Sequence, residues 1–262
     1  MNNSRNKFVM DKNNIMPGTE WYIDWFASPY YDLLYQYRNS QEAWEFIQRV
    51  LTKLEADNGK KILDAGCGNG INTRAMSLMG LDVTGIDISF RLIDEARKME
   101  TPNLHFFQHD MRLPFHINYF DIALNLFNSF GYFRTEREHD NVIRTIAQSL
   151  KPNGTLVIDY LNTHYAEDNL VKNEKKTVND VVFHIARWHS ATHFYKQIQV
   201  EEKGKVLKHL YTERVAKFSP GDFTDMLSYQ GMQVADMFGD YNLAPYDIRN
   251  SQRMVIFAKK IR

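Results

Sequence analysis

Gly66, Gly68 and Gly70 stand at alternate positions directly after the apolar run Ile62-Leu63-Asp64-Ala65. At the carboxyl end of a buried strand, glycines let the backbone turn sharply and approach a ligand closely, because they lack a Cβ and tolerate positive φ. Asp87 closes a second apolar run, Val83-Thr84-Gly85-Ile86, seventeen residues after Gly70. From that place a carboxylate can accept both hydroxyl hydrogens of a ribose, and the neighbouring Ile88 offers an apolar wall to an adenine face. Asp87 could instead cap the helix that follows, a task for which Ser89 competes. A third run ends in His109-Asp110-Met111. Asp110 could accept from an adenine amino group and Met111 could pack on the ring; the plainer reading is a polar loop residue beside a core methionine. The segment Asn125 to Phe133, NLFNSFGYF, is too aromatic for a plain surface loop and too polar for core, and reads as the floor of an active site.

The elements that must position these residues follow from periodicity and punctuation. Trp21, Tyr22, Trp25, Phe26, Tyr30, Tyr31, Leu34 and Tyr35 form an aromatic helical or broken-helical segment. Ser40 is placed to cap a helix carrying Ala43, Trp44, Ile47, Val50, Leu51 and Leu54, which Asp57-Asn58-Gly59 should end. Strands are expected at 61–65, 82–86, 103–108, 120–126 and 155–160, alternating with helices at 71–79, after Ser89, and at 136–150. Such alternation argues for an α/β fold, a doubly wound, mostly parallel sheet of seven strands. The rhythm changes at 180–218, where three strands near 181–188, 193–200 and 206–218 read as an antiparallel insertion after strand five. Ser219-Pro220-Gly221-Asp222 then starts a helix, and strands at 233–237 and 253–259 complete the sheet around a loop at 239–252.

In order and spacing, ILDAGCGNG, VTGIDIS, HDMRLPF, FDIALNLFNSFGYF and LKPNGTLVIDY resemble the successive motifs of the class I S-adenosylmethionine-dependent methyltransferases. The match spans about residues 40 to 160. The FNSFGYF segment and the insertion followed by FSPGDFTDMLSYQGM are similar to small-molecule N-methyltransferases acting on amino sugars or glycine. The resemblance implies a Rossmann-like fold with S-adenosylmethionine as cofactor and S-adenosylhomocysteine as product. It places Asp64 and the backbone of Gly66, Cys67 and Gly68 around the methionine moiety, Asp87 on the ribose, and Ile88, Asp110 and Met111 at the adenine. Leu126 would line the sulfonium end, with Asn128 nearby. Tyr22, Tyr30 and Arg38 resemble the segment that closes over the cofactor, Arg38 suiting its carboxylate. Cys67 corresponds to a small turn residue of the family rather than a nucleophile. Residues 1–39 are thus expected to form a flexible N-terminus and covering segment, and 40–262 the methyltransferase domain with an insertion or lid at 165–218.

Composition narrows the partners. With 32 basic and 32 acidic residues the formal net charge is zero, so neither nucleic acid nor an anionic membrane is favoured, and a small-molecule methyl acceptor is the expected partner. The Asn/Asp-Pro-Pro-Tyr signature of amino-group nucleic-acid methyltransferases is replaced by Asn125-Leu126-Phe127-Asn128. One cysteine excludes an internal disulfide and fits a reducing compartment. With no secretory h-region and no run of about 20 apolar residues, a cytoplasmic location without membrane insertion is expected, as a monomer or homodimer. His184, His189 and His193 read as strand or turn residues, and no metal is required. His164 after strand five, and Glu213 in TERVAKF, are the candidates for a catalytic base. Two other classes share features. An NAD-dependent oxidoreductase would keep the acid after strand two, but Ile71 stands where its G-x-G-x-x-G fingerprint needs a third glycine. A non-catalytic adenosyl-ligand binding protein would keep Asp87 without methyl transfer.

Overall fold

Hydroxyl and carboxylate caps set where the main helices begin. Ser89 Oγ accepts the amide of Leu92, Thr135 and Glu138 form a reciprocal capping box, and Ser219 and Asp222 form another with Pro220 in the first turn. The computed structural model describes residues 20–36 and 40–261. Its elements are α1 (Trp21–Phe26), α2 (Pro29–Tyr35), α3 (Ser40–Lys53), β1 (Lys61–Ala65), α4 (Ile71–Ser77), β2 (Asp82–Asp87), α5 (Phe90–Arg97), β3 (Leu104–Gln108), β4 (Phe120–Asn125), α6 (Glu136–Ser149), β5 (Leu150–Leu161), α7 (Thr163–Asp168), β6 (Asn173–Val178), β7 (Val181–His189), β8 (His193–Glu202), β9 (Lys205–Ala216), α8 (Pro220–Tyr229), β10 (Met232–Phe238) and β11 (Arg253–Lys260). They divide into two units: α1 and α2 with residues 169–217, and residues 40–168 with 218–261.

The larger unit holds the expected seven-stranded sheet, in the order β10-β11-β5-β4-β1-β2-β3. Strands β1 to β5 pair in parallel, and β11 runs antiparallel to both its neighbours. One face buries Phe46, Ile47 and Val50 of α3, Met76 of α4 and Ile93 of α5 against Ile62, Val83, Leu104 and Leu124. On the other, Phe130, Tyr160, Phe218 and Phe223 pack edge to face or tilted, with ring centroids 5.2–6.2 Å apart. The chain runs from β1 outward through β2 and β3, then returns to place β4 on β1's other side. This reversal opens a crevice at the carboxyl ends of β1 and β4, where ligands bind in open α/β sheets.

In the smaller unit, β6-β7-β8-β9 form an antiparallel sheet whose residues Val181, Phe183, Ile185, Ile198 and Val200 pack with Trp25 and Leu34. It has four strands where the sequence pattern gives three. β6, NEKKTV, buries only Val178, and a polar, lysine-bearing edge strand lacks the alternation that marks a half-buried one. Elsewhere α3 stops at Lys53, before Asp57-Asn58-Gly59. β5 begins at Leu150, paired with Phe120, five residues before the expected start at 155; residues 151–154 form an irregularity inside that strand, after which Thr155 pairs with Ile122.

Candidate active site

The glycine turn and Asp87 are joined through the backbone. The amides of Gly66 and Cys67 both donate to the carbonyl of Ile86, at 2.8 and 3.0 Å. Asp87 Oδ2 accepts the Gly68 amide at 3.0 Å, and Oδ1 accepts the Ser89 amide at 2.8 Å. Ser89 is therefore the helix cap, while Asp87 ties the turn after β1 to the start of α5. Each carboxylate oxygen keeps a second lone pair, so the two can still accept two hydroxyl hydrogens. Gly66 and Gly68 adopt φ of +85° and +56°. A Cβ on Gly66 would meet Ser129 Cβ at 2.7 Å, whereas one on Gly68 would point into open space, which leaves its backbone approachable.

Asp64 is buried, and its Oδ2 accepts the Thr73 hydroxyl at 2.6 Å. Burial raises its pKa, the Thr73 bond lowers it, and the Asp87 charge raises it further, to about 6 against an ordinary 3.8. The sign follows from linkage: the folded state holds the proton more tightly, so this group costs stability as pH rises from about 4 through 6, and fully above that. Asp64→Asn is expected to stabilise the unliganded protein at pH 7 by at most about 3 kcal/mol and to have no such effect at pH 4. Urea unfolding midpoints of both proteins across that range measure it; a difference independent of pH would refute it. Burial, with Asp64 and Asp87, also pushes the Cys67 thiol up, which opposes a thiolate nucleophile.

Met111 and the segment after β4 close the crevice. Met111 Cε lies 3.4 Å from the Cβ position of Gly66, and Ser129 Oγ donates to Leu126 O at 2.9 Å. Asn125 Nδ2 caps the end of β1 by donating to Ala65 O at 2.8 Å. Leu126 is buried, and Phe127 and Asn128 take left-handed φ values of +55° and +66°. That turn is fastened from below by Asp159, wholly buried on β5, whose Oδ2 accepts the Phe127 amide at 2.8 Å and whose Oδ1 accepts Arg253 Nε at 2.8 Å. Arg253 Nη2 donates to Asn128 Oδ1 at 3.0 Å.

Asp64, Gly66, Cys67, Gly68, Asp87, Ile88, Asp110, Met111 and Leu126 all lie on this carboxyl edge of the larger sheet or in loops that leave it. His164 is on the first turn of α7, exposed, its amide donating to Asn162 Oδ1 at 3.2 Å. Arg38 and the Ser40 side chain fall outside the described residues. Tyr22, Tyr30 and Glu213 belong to the smaller unit: Tyr22 is buried there, Tyr30 Oη donates to Glu202 at 3.0 Å, and Glu213 Oε1 accepts Trp25 Nε1 at 2.7 Å and Lys196 Nζ at 3.0 Å. Thr73, Arg112, Asp159 and Arg253 also hold the site together, and no sequence motif assigns them a role. Their only signal is polarity inside apolar surroundings, which does not name a partner.

Residues 62–154 match a family model described as a methyltransferase domain. A Geobacillus protein named as a methyltransferase is 26% identical over 231 residues, covering 84% of this chain and 92% of that protein. The dTDP-3-amino-3,4,6-trideoxy-alpha-D-glucopyranose N,N-dimethyltransferase of Streptomyces venezuelae is 25% identical over 218 residues, covering 80% and 91%. The crystal structure of an S-adenosylmethionine-dependent methyltransferase from Clostridium acetobutylicum superposes with a TM-score of 0.73 at 15% identity, covering 88% of this chain and 96% of that one, and so shares the fold.

Proposed function

We propose that this chain, whose residues 62–154 match a methyltransferase domain, is a class I S-adenosylmethionine-dependent methyltransferase that methylates a nitrogen atom of a small polar metabolite. The carrying observation is the crevice between β1 and β4, with an approachable glycine backbone and a carboxylate having acceptor capacity on one side and a polar, aromatic floor on the other. The named amino-sugar N,N-dimethyltransferase, matched over nine-tenths of its length, favours nitrogen over oxygen.

The residues fit the cofactor's parts. Asp64 and the backbone of Gly66, Cys67 and Gly68 would face its methionine end, Asp87 the ribose, Ile88, Asp110 and Met111 the adenine, and Leu126 the sulfur. Tyr22, Tyr30 and Arg38 are proposed as cover. When bound, the cofactor supplies a methyl group activated on a positively charged sulfur. The protein's tasks are to align the acceptor, exclude water and remove a proton where the acceptor holds one. His164 is the proposed base, standing exposed on the first turn of α7 where the chain leaves the carboxyl end of β5. Glu213 ranks behind it, because its carboxylate is already engaged, Oε1 taking hydrogen bonds from Trp25 and Lys196.

The test is incubation with methyl-labelled S-adenosylmethionine and a panel of dTDP-amino sugars, glycine and phenols. Label in an amine is the expected result; label only in a hydroxyl acceptor would overturn the nitrogen assignment. No transfer, with S-adenosylhomocysteine still bound, would favour the non-catalytic adenosyl-binding reading. With the acceptor found, His164→Ala should lower turnover about 100-fold; unchanged turnover would remove His164 from the mechanism.

A further inference from the structure

Asp110 sits beyond the end of β3, in a loop, where a carboxylate has no strand to fix its direction. It is nevertheless immobilised. Arg112 curls back two residues and donates its backbone amide and Nε to Oδ1, at 2.9 and 3.0 Å, and Nε and Nη2 to Oδ2, at 3.0 and 2.7 Å. Both oxygens are gripped by one planar fork, which sets the plane of the carboxylate as well as its position. Burial raises the Asp110 pKa, and the Arg112 bonds and charge more than reverse this, so Asp110 titrates below the usual range and stays ionised.

The fork is itself anchored. Arg112 Nη1 donates to Glu138 Oε1 at 2.8 Å, and the guanidinium lies 5.1 Å from the centre of the Phe133 ring. Glu138 cannot swing freely: its Oε2 accepts the amides of Arg134 and Thr135, at 2.9 and 3.0 Å, within the capping box of α6. Two helical turns further along, Thr145 Oγ1 donates to the carbonyl of Met111 at 2.6 Å. Residues 110–112 are thus stapled to α6 at two points. The side chains of Arg112, Asp110 and Glu138 are 16%, 19% and 26% exposed, so their pairing is better shielded than a surface ion pair.

We infer that Arg112, backed by Glu138, is the positioning residue of adenine recognition: it orients Asp110 to receive the adenine amino group. The hydrogen count allows it. The backbone N–H, the shared Nε–H and one Nη2–H supply three hydrogens to a carboxylate with about four acceptor positions, which leaves one for a donor from the ligand. This assignment rests on the cofactor reading above and adds the residues that determine its base selectivity. A positioned acceptor discriminates a ligand that offers an N–H from one that presents a carbonyl oxygen at the same place, because the second leaves two acceptors facing each other.

The experiment is calorimetric titration of the full chain with S-adenosylhomocysteine and with S-inosylhomocysteine, in which a carbonyl oxygen replaces the adenine amino group. The wild type is expected to bind S-adenosylhomocysteine at least about tenfold more tightly. Arg112→Lys keeps the charge and loses the fork. Glu138→Gln keeps an acceptor for the capping box and loses the ion pair. In both, S-adenosylhomocysteine binding should weaken several-fold while S-inosylhomocysteine binding hardly changes, so the ratio falls toward one. An unchanged ratio, or an equal loss for both ligands as from general loosening, would overturn the inference. A wild type that binds both equally would overturn it with the cofactor reading intact; one that binds neither would overturn both.

Discussion

Asp87→Ala is expected to raise the dissociation constant of S-adenosylhomocysteine by about 100-fold or more. In the proposed placement, two hydrogen bonds from ribose hydroxyls to the Asp87 carboxylate are lost, each worth roughly 1.5–3 kcal/mol, and about 3 kcal/mol corresponds to a factor of 100. The loss extends to the protein. Asp87 holds the Gly68 amide on one oxygen and the Ser89 amide on the other, so alanine releases both the glycine turn and the start of α5. Asp87→Asn separates the two contributions: its single amide oxygen can keep one backbone bond while forfeiting the second acceptor, and it should fall between wild type and alanine. Burial raises the pKa of Asp87, and the backbone bonds from Ser89 and Gly68 work against that rise. The buried carboxylate's cost is offset only when donors surround it, as bound ribose hydroxyls would. Titration with NAD alongside tests the rival class. Binding of NAD alone, or S-adenosylhomocysteine affinity unaffected by Asp87→Ala, would remove the cofactor assignment.

The larger sheet was legible because β1 and β2 are short, largely apolar runs of five and six residues ended by glycine and acid, and the main helices bear their own caps. Ser89, the Thr135–Glu138 box and the Ser219–Asp222 box are local signals, complete within four residues. The proposed site's carboxyl edge was legible for the same reason: the turn at Gly66 and Gly68 and the acid at Asp87 are read from strand ends alone. What the sequence could not give were pairings across long separations. Nothing near Asp159 announces that a residue 94 positions on will neutralise it. Nothing in HDMRLPF tells whether Arg112 faces solvent or turns back on Asp110 and out to Glu138, 26 residues away. β6 escaped for a different reason, since an edge strand with one buried side chain carries almost no hydrophobic pattern.

Arg253→Met should cost the larger unit 3–5 kcal/mol, roughly the effect of leaving a buried carboxylate without its partner. Asp159 is wholly inaccessible and accepts from Arg253, from the Phe127 amide and from Tyr241 Oη at 3.1 Å. An apolar replacement of the whole pair is a different matter, because it removes the desolvation of both charges together. Asp159→Leu/Arg253→Met is therefore expected to recover most of the stability lost in Arg253→Met, measured as urea midpoints with the slope unchanged. Activity should not recover with it. Phe127 and Asn128 hold left-handed backbone conformations that cost of order 1–3 kcal/mol each and persist only where surrounding structure over-determines them. The Asp159 bond to the Phe127 amide and the Arg253 bond to Asn128 Oδ1 are those constraints. Without them the turn can relax, and the segment beside Leu126 and Ser129, next to the glycine turn, loses its place. A doubly substituted protein that regains stability but transfers methyl groups at least tenfold more slowly would show that the ion pair is kept for geometry. One that regains stability and turnover together would show that the turn holds its shape unaided and that the charges serve neither.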